Sequence, residues 1–149
     1  MWEKGNKVNY RNYVFDSQKE FLFYQRFIEK YDKPDSEFVV LVHQNYDIIE
    51  KFEISGLTIR GAKYTPDVVI TDKQNNLLHV YDVKNGFTSY AVSDAAKIRF
   101  KLFTERYGVP VECVVPRKGS FKVKIFGMTR KTTEHIFKDI DYDWQEAVK

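Results

Sequence analysis

One cysteine, Cys113, stands among the 149 residues, so an internal disulfide is impossible and the stapled scaffold of small secreted domains is excluded. Four prolines and seven glycines are too few and too dispersed to build a linker or a repeat. They form no glycine-rich phosphate loop either, which disfavours nucleotide hydrolysis of the P-loop kind. No apolar run approaches the ~18 residues of a membrane span, and the opening Met-Trp-Glu-Lys-Gly-Asn-Lys-Val has no signal-like apolar stretch. The expectation is a cytoplasmic protein. His43, His79 and His135 have no metal-ligand spacing and are given no role. Cys113 lies in a β-rich run with no activating pattern beside it and reads as buried.

Apolar residues are plentiful: twelve Phe and ten Tyr provide enough surface for a single domain over residues 1–149 to bury a core without a metal or a disulfide. The net charge of +3 is compatible with a polyanionic partner but does not establish one.

The pattern of elements is mixed. Asp16-Ser17 precedes the largely apolar run Lys19–Tyr31, a capped helix that ends before Pro34. Strand-like stretches follow at Glu37–His43, at Ile48–Arg60 folded at Ser55-Gly56, at Tyr64–Thr71 and at Leu77–Lys84. Ser93–Tyr107 has helical spacing, with Gly108 and Pro110 as its stop. Val111–Val115 and Phe121–Phe126 read as strands, and Thr132–Lys149 as one or two short helices. The expected fold class is α/β, a central sheet flanked by helices in the order α-β-β-β-α-β.

Tyr64–Thr71 and Leu77–Lys84 are joined by Asp72-Lys73-Gln74-Asn75-Asn76, a hairpin signature. A turn centred between Gln74 and Asn75 makes paired numbers sum to 149, so Asp72 faces Leu77 and Asp67 faces Asp82. Directly opposed side chains have Cβ atoms only ~5 Å apart, where two carboxylates repel unless a cation neutralises them. Lys84, two residues after Asp82, lies on the same face. Hard carboxylate oxygens select Mg²⁺ or Mn²⁺ over zinc. The bland alternative is that Asp67 caps a strand entry while Asp82 and Lys84 form a surface ion pair of little worth.

Pro66-Asp67, fourteen residues, then Asp82-Val83-Lys84 resembles the motif of the PD-(D/E)xK nuclease superfamily, although Asp82 replaces the commoner Glu. The resemblance implies a restriction-endonuclease-like core and a metal-dependent endonuclease acting on DNA phosphodiesters. Asp67 and Asp82 would hold Mg²⁺ or Mn²⁺, Glu20 of the first helix would complete the set, and Lys84 would orient water or stabilise the phosphorane. Glu20 has a second reading, since Ser17-Gln18-Lys19-Glu20 is also a capping box. The resemblance reaches small phage-encoded nuclease-like proteins, some relatives of which cleave branched DNA as Holliday-junction resolvases do; the setting would then be a bacterial host. Lys97, Arg99 and Lys101 of the second helix are candidates for phosphate contact. A homodimer would place two sites on two strands. The rival reading is a catalytically inert nucleic-acid- or partner-binding protein on the same fold.

Overall fold

In the computed structural model, which describes residues 7–131 and 133–149, the β-branched stretch Val68–Thr71 and the run Leu77–Val83 form neighbouring strands in the middle of a sheet. Apolar side chains on both faces suit a strand covered on both sides, and every residue of Val68–Thr71 is buried.

The strands in chain order are β1 (Val8–Tyr10), β2 (Tyr13–Phe15), β3 (Val39–Val42), β4 (Tyr46–Ile49), β5 (Phe52–Ile54), β6 (Leu57–Ile59), β7 (Ala62–Tyr64), β8 (Val68–Thr71), β9 (Leu77–Val83), β10 (Glu112–Pro116), β11 (Phe121–Lys124) and β12 (His135–Phe137). The helices are α1 (Gln18–Phe23) and α2 (Asp94–Tyr107). Six strands make the central sheet in the order β12-β11-β10-β9-β8-β3. The β9/β10 pair is parallel and its neighbours in the sheet are antiparallel, with α2 as the crossover that a parallel pair requires. The fold is therefore mixed α/β with a central mixed sheet and two helices.

Alternation along the strands feeds two cores. Val68, Ile70, Tyr81, Val114 and Phe121 pack against Phe23, Tyr24, Phe27 and Ile28 on one face. Val69, Val80 and Cys113 pack against Ala96, Phe100 and Phe103 of α2 on the other. Ser17 caps α1 by accepting the Glu20 amide at 3.1 Å, and Ser93 caps α2 by accepting the Ala96 amide at 3.1 Å. Gly108 closes α2 with a left-handed backbone at φ 78°. The helical run expected over Lys19–Tyr31 is present, but it changes winding: a π turn at Tyr24–Ile28 and a 3₁₀ turn at Glu29–Tyr31 follow α1.

Four expectations need correction. The β8/β9 pairing sums to 149 at Val68↔Tyr81, Val69↔Val80 and Ile70↔His79 as expected, then slips so that Thr71, not Asp72, faces Leu77. Asp72 is drawn into the turn instead, its carboxylate accepting the Gln74 and Asn76 amides at 2.9 Å, while Asn75 takes a left-handed φ of 69°. The single strand expected over Tyr64–Thr71 is two strands: β7 pairs with β4 and β8 with β3 and β9. Between them lies Pro66, which has no amide to donate.

The order α-β-β-β-α-β omits the hairpin β1/β2 before α1. Finally, the C-terminal stretch read as short helices contains the edge strand β12 and ends in a 3₁₀ turn at Trp144–Val148; Thr132 lies outside the described residues. β12 is held by partners distant in sequence. Phe137 stacks on Tyr142 with ring centroids 3.6 Å apart, and the Tyr142 carbonyl accepts from His79 Nε2 at 2.8 Å. His79 Nδ1 meets Glu112, which is fully buried, at 2.6 Å, and Tyr142 Oη donates to the other Glu112 oxygen at 2.7 Å. A buried charge is tolerated when its lone pairs are met in this way.

Candidate metal and phosphodiester site

The two aspartates stand where β8 and β9 emerge from the core, on the sheet face that α2 covers. The Asp67 amide donates to the Tyr81 carbonyl at 3.0 Å and its carbonyl accepts the His43 amide at 3.2 Å, so its backbone is held by both neighbouring strands. Its carboxylate accepts the Val83 amide at 2.7 Å. The paired register ends at Val68↔Tyr81, and the Asp67 amide also turns to the Tyr81 carbonyl, so the expected Asp67–Asp82 pairing is not part of the ladder; the two carboxylates instead line the same cleft.

Asp82 is 7% exposed, and its two oxygens are met by Tyr64 Oη at 2.5 Å and by Lys84 Nζ at 3.0 Å. The Asp82–Lys84 ion pair of the bland alternative is thus present, more enclosed than a fully solvated surface pair, with Lys84 one quarter exposed. The Lys84 amide donates to Val114 at 2.8 Å, which fixes the backbone just beyond β9 against the parallel neighbour.

Glu20, 3% exposed, arrives from α1. Its amide takes the Ser17 cap, yet its carboxylate turns away from the helix end and meets His43 Nε2. His43 follows β3 with a left-handed φ of 56°, a conformation that His adopts more readily than most residues. Asp16 Oδ2 lies 3.7 Å from the same ring nitrogen. Asp16, Glu20 and His43 thus offer one ligand atom each, all within 4.8 Å of one another.

The sequence points to no site role for His43, Asp16 or Tyr64, placing Asp16 before the first helix and Tyr64 at a strand start; the structure brings all three to the site. A lone His on a strand carries no signal, and the contact across 23 residues exists only after folding. The ligand set expected for Glu20 was Asp67 and Asp82, whereas its immediate neighbours are Asp16 and His43.

These groups line one open cleft of about 370 Å³ that includes Asp16, Glu20, Tyr64, Asp67, Asp82, Lys84 and Arg99. Of the three basic residues proposed for phosphate contact, Arg99 lies in this cleft. Lys97 points instead at Phe126, its Nζ 5.2 Å from the ring centre, and Lys101 lines a separate apolar groove beside Gly127. His79 belongs to the buried C-terminal network, and Cys113 is buried with its thiol pushed up by desolvation.

The acidic groups of the cleft perturb one another. Burial first, then the charges of Asp82 and Glu20, raise the Asp67 carboxyl well above the usual carboxylate range, against the Val83 amide and Lys84. The Tyr64 phenol is likewise raised by burial and by Asp82. His43 is raised by its bond to Glu20. Asp67, Asp82 and Glu20 line one polar opening with Lys84, while the ligand atoms close enough to share one ion among the described residues are those of Asp16, Glu20 and His43.

A family model described as "Protein of unknown function (DUF1064)" matches residues 3–117, a span that contains every residue of this cleft. No curated protein and no solved structure matches the chain.

Proposed function

The chain belongs to the DUF1064 family of unknown function, and from the cleft itself we propose that it is a Mg²⁺- or Mn²⁺-dependent endonuclease with a restriction-endonuclease-like core that hydrolyses DNA phosphodiesters, branched DNA among its substrates. The observation that carries this reading is the convergence of Asp67, Asp82, buried Glu20 and Lys84 on one open, polar cleft. Asp67 and Asp82 would hold the metal, with Glu20 beside them. A bound divalent cation supplies a nucleophilic water at neutral pH and compensates charge at phosphorus.

The chain's own residues do the rest. Tyr64 and the Val83 amide fix one oxygen each of Asp82 and Asp67, which sets the direction in which the free lone pairs point. Lys84, anchored through its backbone to β10, can shift its ammonium from Asp82 to a non-bridging phosphate oxygen as charge builds there. Arg99, on the wall of the cleft, is placed to meet a neighbouring phosphate.

One observation favours the rival: both Asp82 oxygens already have partners, the arrangement an inert nucleic-acid-binding protein would keep. The separating experiment incubates labelled linear duplex, single-stranded and four-way-junction DNA, with matched RNA, in Mg²⁺, Mn²⁺ or EDTA, using wild type, Asp82→Asn and Lys84→Ala. Metal-dependent cutting lost in both variants, with binding retained, is expected. Binding by wild type without cutting of any substrate would discard the enzyme in favour of the binding protein.

A further inference from the structure

The ribbon β4/β7 that lines the cleft through Lys63 and Tyr64 continues outward as the hairpin β5/β6, which turns at Ser55 and Gly56 with left-handed φ values of 48° and 80°. Its cross-strand pairs are Phe52↔Ile59, Glu53↔Thr58 and Ile54↔Leu57. Directly opposed residues share a face, so Phe52, Ile54, Leu57 and Ile59 make one wholly apolar face, and Glu53 and Thr58 the polar back.

All four apolar side chains are exposed, from 39% at Ile59 to 63% at Leu57. A two-stranded hairpin with an open apolar face is marginal in water and needs something to pack on. A side chain at Gly61 would collide with the Ile49 carbonyl, so the strands cross at the neck with no room for one.

We propose that this face is the interface of a two-fold dimer, with the hairpin of a second copy of the chain as its occupant. The four residues expose roughly 400 Å² on each copy, and about 800 Å² together, which with a polar rim reaches the ~1,200 Å² of the smallest specific interfaces. An apolar face set on its own image is self-complementary, as an isologous contact demands. Lys51 and Arg60 flank the base of the hairpin and the tip is uncharged, so laying each tip over the other's base keeps like charges apart. Nucleic acid is the poorer occupant, because the face itself carries no cation to meet phosphates.

This inference does not depend on the nuclease reading, and its test needs neither metal nor DNA. The full chain, 17.7 kDa as a monomer, is run by sedimentation velocity from about 1 to 100 µM. Wild type should sediment at twice that mass as concentration rises. Ile54→Asp combined with Leu57→Asp should weaken association about 100-fold or more, as burying four charges would. A second variant, with residues 52–59 replaced by two glycines, should be monomeric and should melt as wild type does at concentrations low enough to keep wild type monomeric, since the hairpin lies outside both cores. Wild type that stays monomeric at the highest concentration would overturn the proposal, as would variants that associate as tightly as wild type. Monomeric wild type whose DNA affinity falls in the variants would assign the face to nucleic acid instead.

Discussion

Replacing Asp67 by Asn should stabilise the metal-free protein and abolish its response to metal, two effects of opposite practical sign from one substitution. The introduced carboxamide keeps an oxygen for the Val83 amide and removes one of three crowded carboxylates. Two unit charges about 5 Å apart at an effective dielectric constant of about 20 repel by ~3 kcal/mol, and Lys84 offsets part of this, leaving a net gain of about 1–2 kcal/mol. In a domain of this size each kcal/mol moves Tm by roughly 2–4 °C, so the variant should melt about 2–8 °C higher without metal. For wild type, a cation at one hundred times its Kd adds ~2.7 kcal/mol, an upward shift of about 5–11 °C that the variant should lack.

The pH sign follows from the raised Asp67 carboxyl. A group whose folded pKa lies above its unfolded value contributes stability that is fully present at pH below the unfolded value and is lost as pH rises through the folded one. Metal-free wild type should therefore lose stability relative to Asp67→Asn as pH climbs beyond the ordinary carboxylate range, and the two should converge in acid. Differential scanning calorimetry with EDTA or Mn²⁺ across this range measures both effects. A metal-free variant less stable than wild type, or a wild type indifferent to Mn²⁺ at millimolar concentration, would refute the reasoning.

Three further outcomes follow from the contacts described. Tyr142→Phe removes the donor to buried Glu112 and the bond to Tyr81, at a cost of about 2–3 kcal/mol and a Tm drop of roughly 4–12 °C by circular dichroism. His43→Ala frees the Glu20 carboxylate and should weaken Mn²⁺ binding about 10-fold, read by isothermal titration, while Tm in EDTA changes little. Arg99→Ala should lower DNA affinity and reduce the salt slope by about one, whereas Lys101→Ala, on a different groove, should leave that slope unchanged in a fluorescence titration.

What the sequence disclosed is local. Val68, Val69 and Ile70 could be paired with Tyr81, Val80 and His79 from numbers alone because β-branched runs on either side of a five-residue polar turn leave few registers. The register departs at Thr71 and again at Asp67, whose amide turns to Tyr81. α2 was legible from its cap, its spacing and Gly108. Glu20 could be placed on a helix, but whether its carboxylate served the cap or the cleft depended on His43 arriving from β3, and nothing in a lone histidine announces that. The edge strand β12 was missed for a similar reason. Three residues have too little pattern to register, and their place follows from Phe137 meeting Tyr142, itself tied to His79 more than sixty residues earlier. The hairpin tip at Ser55-Gly56 was found from turn chemistry, whereas its exposure could be seen only in three dimensions.

The backbone bond from Lys84 to Val114 has a consequence for when the cleft comes into being. Every side chain of the cleft lies between Asp16 and Arg99, yet the strand that seats Lys84 is the one after α2. A growing chain that has emerged only as far as α2 holds the acids, the lysine and the arginine, but not the rail that aligns them. On the proposed nuclease reading, competence is deferred until most of the domain has been made, and a fragment ending before β10 should be chemically silent while its sequence motif is intact.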